Sequence, residues 1–202
     1  MKNTVIYVHG KGGSAKEAER YKPLFRGAEV IGFDYRAETP WDAKEEFSRF
    51  FAEQRRHCGS LTLIANSIGA FFSMHSQSEA LIDKAYFISP IVNMENLIGN
   101  MMKWAGVTEE ELAEKSLIPT EFGETFSWEY LCYVRKHPIT WRVPTRILYG
   151  GQDNLTPPEI ISAFAKQSGA ELTVMPDGEH WFHTEEQLRF LDRWILDNKN
   201  PR

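Results

Sequence analysis

Cysteine is scarce in this chain: Cys58 and Cys132 are the only two in 202 residues. That excludes a disulfide scaffold, and two free thiols suit a reducing compartment better. Positive charge is also short. Lys and Arg number 23 against 28 Asp and Glu, a formal charge of −5, which argues against a nucleic-acid partner or an anionic membrane surface. No apolar run reaches membrane-spanning length. Met1-Lys2-Asn3 runs straight into a strand pattern, leaving no signal peptide to expect. The expectation is therefore a soluble cytoplasmic protein. Hydrophobic residues make up 42% and aromatics 13%, enough for one domain with a substantial core at this length and not for two.

What is present is an alternation of strand and helix signals. Thr4–Val8 is β-branched and free of charge, and Glu29–Phe33, Leu61–Ile64, Ala85–Ser89, Arg146–Tyr149 and Glu171–Met175 read as five further strands. Helices fall between them. Ser14 with Glu17 and Asp42 with Glu45 mark two starts, Thr156 with Pro157 a third, and Thr184 with Gln187 the last. The pattern predicts an α/β fold: a three-layer α/β/α sandwich on a mainly parallel sheet of about six strands. Ligands in such sheets gather beyond the carboxyl ends of the strands. Chemistry is to be sought at His9, Asp34, Ser67, Pro90, Asp153 and the loop after Met175. One stretch, 91–143, breaks the rhythm and shows only helical periodicity, with starts at Thr108 and Ser127. It reads as a helical insertion above the strand ends, where a cap would sit.

At Leu61 to Phe72 an apolar strand stops at Ala65-Asn66-Ser67-Ile68-Gly69 and a helical pattern follows. Small-x-Ser-x-Gly between strand and helix is the nucleophile-elbow pattern, with Ala65 in the place usually held by glycine. The plainer alternative is that Ser67 caps the helix. A serine needs a base to remove its proton and the base needs a carboxylate to orient it. Asp153, after Gly150-Gly151-Gln152, and His180, after Pro176-Asp177-Gly178-Glu179, lie on the two remaining strand exits. The order Ser67, Asp153, His180 is the one expected of an elbow on a parallel sheet. Asp153 as a mere turn residue is the competing account. The Gly-x-His pattern selects His180 over His183. Together with Glu179 and Asp177 these histidines faintly resemble a metal site, but no second ligand cluster accompanies them, and no metal is expected. His57, His75 and His137 fall on helical segments and are expected to be solvated.

With these motifs in place the chain resembles a small α/β-hydrolase over nearly its whole length, as a single domain 1–202 carrying a helical cap insertion. The resemblance implies a cytoplasmic serine esterase acting on a small-molecule carboxylic ester or thioester, with no cofactor. It implies Ser67 as nucleophile, His180 as base and acid, and Asp153 as the orienting carboxylate. The oxyanion hole would be formed by the backbone N–H groups of Ile68 and Lys11, with Gly12 the alternative second donor. His9 would hold that loop. Trp104, Phe126, Trp128 and Trp141 are candidate walls for a short or medium acyl group.

Two other classes compete. Gly10-Lys11-Gly12-Gly13-Ser14-Ala15 satisfies G-x-G-x-x-A after a strand, and Asp34 ends the next strand, a fair dinucleotide fingerprint that would make the protein an oxidoreductase. It leaves Ser67, Asp153 and His180 unexplained. A phosphate-binding loop is excluded by Ala15 and Glu17. The third reading is a hydrolase-fold binding module without turnover. Oligomeric state is not legible in the sequence.

Overall fold

The computed structural model describes Lys2 to Lys199; Met1, where the leader reading began, and residues 200–202 lie outside the described residues. In chain order the elements are β1 (Asn3–Val8), a 3-10 helix (Ala15–Tyr21), β2 (Ala28–Phe33), α1 (Pro40–His57), β3 (Ser60–Asn66), α2 (Ile68–His75), a short 3-10 turn (Glu79–Leu81) and β4 (Lys84–Ile88). Then come α3 (Met94–Ala105), α4 (Glu109–Lys115), β5 (Leu117–Pro119), β6 (Thr125–Ser127), α5 (Trp128–Lys136), β7 (Thr145–Gly150), α6 (Pro158–Ser168), β8 (Glu171–Met175) and α7 (Glu185–Lys199). The main sheet has six strands in the order β2-β1-β3-β4-β7-β8, and every neighbouring pair is parallel.

The unbroken apolar runs of the central strands follow from burial on both faces. Val5, Tyr7, Ile64, Tyr86 and Leu148 enter one core cluster with Leu191, Trp194 and Ile195 of α7. Phe33, paired in register with Val8, faces the other way and meets Phe47 of α1 edge-on at 4.9 Å. Phe47 and Phe51 are fully buried, each contributing about 1.5–3 kcal/mol on area alone.

Contacts divide the chain into two compact units, one up to Val92 and from Thr140 on, the other Asn93–Ile139. The second holds α3, α4, α5 and a small antiparallel sheet of β5 with β6, which helical periodicity does not reveal. Two of its helix starts are well marked: Thr108 and Glu111 form a reciprocal capping box on α4, and Ser127 accepts from the Tyr130 N–H at the start of α5. Among the described residues no helix is long and apolar enough to cross a membrane.

The start of α1 corrects the sequence reading. The capping residue is Thr39, whose Oγ1 accepts from the Asp42 N–H at 3.2 Å, and Pro40 occupies the first turn. Proline there removes an N–H that would have lacked a partner anyway. Thr39→Ala is expected to cost about 1 kcal/mol, read as a lowered thermal midpoint with the fold retained. An unchanged midpoint would show that neither bond of the Thr39 hydroxyl, to the Asp42 N–H or to the Asp42 carboxylate at 2.6 Å, stabilises the helix start.

Candidate active site

The elbow begins with backbone geometry. Ser67 has φ 50° and ψ −121°, a conformation that costs a non-glycine residue on the order of 1–3 kcal/mol and persists only where its surroundings over-determine it. They do here. Its N–H donates to Ile88 O (3.0 Å), and its own carbonyl accepts from Ala70 (3.1 Å) and Ile91 (3.2 Å). The chain leaving β4 thus holds the turn leaving β3. Gly69 follows for a steric reason: a Cβ there would lie 2.4 Å from His9 O and 2.9 Å from Val8 Cγ1. The β1 exit loop therefore packs directly on the first turn of α2, and a Cβ on Gly10 would meet Ser67 Cβ at 3.2 Å.

The Ser67 hydroxyl makes no capping bond to its helix. It lies 2.8 Å from His180 Nε2, and His180 Nδ1 lies 2.7 Å from Asp153 Oδ2. A carboxylate only accepts, so Nδ1 carries the ring proton and Nε2 is left to accept from Ser67 Oγ–H. Asp153 also builds its turn, but with its other oxygen: Oδ1 accepts from Leu155 (2.8 Å) and Thr156 (3.1 Å). Its side chain is fully covered, whereas that of His180 keeps 16% of its surface exposed. Three residues from three strand exits meet at one point.

Their loops are joined backbone to backbone. A Cβ on Gly150 would fall 2.5 Å from the carbonyls of Gly178 and Glu179. Gly151 and Gln152 donate to Met175 O and Gly178 O, each at 2.8 Å. Tyr149 secures the Asp153 loop by donating to Thr156 O at 2.7 Å. Burial, then the charges of Asp153 and Glu159, pushes its phenol up to about 12, so it remains a donor. Buried Gln187 of α7 grips the His180 loop. Its Oε1 accepts from His183 N (3.0 Å) and Thr184 N (3.4 Å), and its Nε2 reaches Glu179 Oε2 (3.3 Å). The capping signature Thr184-Gln187 was visible in the sequence, but the grip on the loop was not.

The remaining histidines separate from this centre. His183 is turned outward, its Nδ1 2.7 Å from Trp181 O and its ring stacked on Trp181. His75, expected to be solvated, is half-buried with its ring 4.3 Å from that of Phe71. His9 stacks on Tyr35 at 4.3 Å. The loop after it closes through Gly13 N–H to Gly10 O at 3.1 Å. Gly12 takes φ 73°, the positive value a type II turn demands at its third position. The dinucleotide reading loses its anchor, because the segment opened by this loop is a seven-residue 3-10 helix and Asp34 lies exposed beyond β2.

The expected aromatic walls fare unevenly. Trp141 is a correction. It is buried, donates Nε1–H to Thr145 Oγ1 at 2.7 Å and packs on Phe87. Thr145 opens β7, roughly 16 Å along the strand from Gly150 at ~3.3 Å per residue, so Trp141 belongs to the amino end of the sheet. Phe126 is also a correction: only 4% exposed, with its ring 6.1 Å from that of Phe122, it offers almost no surface to a ligand. Trp104 is 61% exposed near the end of α3. Trp128 opens α5 and lines an open groove of about 660 Å³ with Leu117, Cys132 and Tyr133, all in the same unit.

No family model and no curated protein matches the chain. Solved structures do. Est1E from Butyrivibrio proteoclasticus superposes with a TM-score of 0.76 at 16% identity, covering 97% of this chain and 86% of its own. Alpha/beta hydrolase domain-containing protein 10 from mouse gives 0.76 at 18%, covering 96% and 88%. The esterase domain of a Rhodothermus marinus protein gives 0.64 at 13%, covering 96% and 85%. At these identities the likeness is one of fold, and that fold is the α/β-hydrolase fold.

Proposed function

We propose that this protein is a serine hydrolase that cleaves a small carboxylic ester or thioester through an acyl-enzyme. The observation that carries the reading is the line of contacts from Asp153 Oδ2 through His180 to Ser67 Oγ, at 2.7 and 2.8 Å. An esterase domain among the structural neighbours supports the same chemistry.

In this mechanism His180 Nε2 takes the Ser67 proton as Oγ attacks the carbonyl carbon. The oxyanion is received by the N–H of Ile68, at the start of α2, and by that of Lys11 or Gly12 in the turn beside it. Asp153 holds the imidazolium that forms. His180 then protonates the leaving oxygen or sulfur. A water gives its proton to His180 and attacks the acyl group, and the returned proton restores Ser67.

A fluorophosphonate probe tests this on the native protein. The expected adduct maps to the peptide containing Ser67, and a p-nitrophenyl ester series from acetate to palmitate peaks at short or medium acyl length. An adduct on another serine would reject the nucleophile. No adduct and no turnover would leave a non-catalytic binding module as the better account.

A further inference from the structure

We infer that Tyr35 is a positioning residue for the oxyanion loop, holding the His9 carbonyl so that the N–H groups of the following turn face the reaction centre. This rests on the hydrolase reading above. Tyr35 Oη–H donates to His9 O at 3.0 Å, and its ring stacks on the His9 ring with an interplanar angle of 17°. The same carbonyl touches the first turn of α2, as the 2.4 Å approach of a Cβ on Gly69 shows. His9 O is thus wedged between the phenol and the helix that follows Ser67. One atom sets the loop against the elbow.

Tyr35 is itself braced from behind. The Arg36 and Ala37 N–H groups donate to the Glu46 carboxylate of α1 at 3.0 and 2.8 Å, and the Tyr35 ring packs against Phe47 and Phe72. The far end of the loop is fixed independently: Ser14 N–H donates to Glu17 Oε1 at 2.9 Å, and Tyr7 donates to Glu17 Oε2 at 2.5 Å. Between those ties lie Lys11 and Gly12. Burial holds the Tyr35 phenol above its ordinary value, so the donor persists at working pH.

Without the hydroxyl, His9 O is left without that donor and the turn loses its tie on the elbow side. Outright removal of an oxyanion donor costs about 10²–10³-fold, so a misdirected one is expected to cost about 10–100-fold in the covalent step. Fluorophosphonate inactivation, followed to saturation, separates the maximal rate kinact from the affinity KI. Tyr35→Phe, which keeps the ring and its stacking, is expected to lower kinact by about 10–100-fold with KI within about twofold. The control is Tyr86→Phe, which removes another buried phenol-to-carbonyl bond, to Asn198 O at 2.9 Å, and should inactivate like wild type. Wild-type kinact in Tyr35→Phe overturns the inference. So does an equal slowing in both variants, which would mean general loosening of the sheet. A wild type that never reacts at Ser67 fails earlier, overturning the hydrolase reading and this inference with it.

Discussion

Asp153→Asn is expected to lower turnover of p-nitrophenyl acetate by about 10⁴-fold while leaving the thermal midpoint nearly unchanged. The reason is the division of labour between the two carboxylate oxygens. Oδ1 accepts from the N–H groups of Leu155 and Thr156, and Oδ2 faces His180 Nδ1. An asparagine must keep its oxygen where those two donors point. Turning the amide round would set NH₂ against two N–H groups, a cost of about 1–3 kcal/mol for each buried donor left unmet. The amide nitrogen therefore faces Nδ1 and donates to it. Nδ1 becomes the acceptor, Nε2 carries the proton, and His180 can no longer take one from Ser67. The turn survives because its own hydrogen bonds survive. Turnover within tenfold of wild type would show that the ring reaches its working tautomer without Asp153.

The candidate triad is legible in the sequence because each of its residues announces itself locally. Ser67 sits between an apolar strand and a helical pattern, and Asp153 and His180 follow strands closely. Topology then brings them together, since a parallel sheet sends successive exits to one rim. The placing of Trp141 fails by the same rule. A residue four positions ahead of Thr145, at the start of β7, belongs to the opposite rim, and strand direction alone could have said so. The contacts of Tyr35 and Gln187 are harder to foresee. The first joins residues 26 apart and depends on how two loops pack. The second turns the Gln187 side chain back onto His183, Thr184 and Glu179, contacts that a capping pattern alone does not specify. The β5–β6 ladder is invisible for a different reason: three-residue strands, one ending in proline, are too short to show alternation. The offset at α1 comes from competing signals, because Thr39, Pro40 and Asp42 all fit a helix start and only geometry shows which oxygen accepts.

Gly150→Ala should slow turnover by about 10²-fold and destabilise the protein by about 1–3 kcal/mol. The added methyl would stand 2.5 Å from the carbonyl oxygens of both Gly178 and Glu179 and 2.7 Å from the Gly178 carbon. These are backbone atoms, so no rotamer change relieves the clash, and one loop must retreat from the other. Retreat strains the bonds that Gly151 and Gln152 make to Met175 O and Gly178 O. It also carries His180 away from Asp153, because the two side chains ride on these loops. The reference variant is Gly169→Ala at the end of α6. Its φ of +71° disfavours alanine, but nothing lies within 4 Å of the new methyl, so it should cost about 1–2 kcal/mol of stability through backbone strain alone with turnover unchanged. Two variants of comparable instability then differ only in where the strain falls. Equal turnover in both would mean that Asp153 and His180 find each other without the glycine contact between their loops.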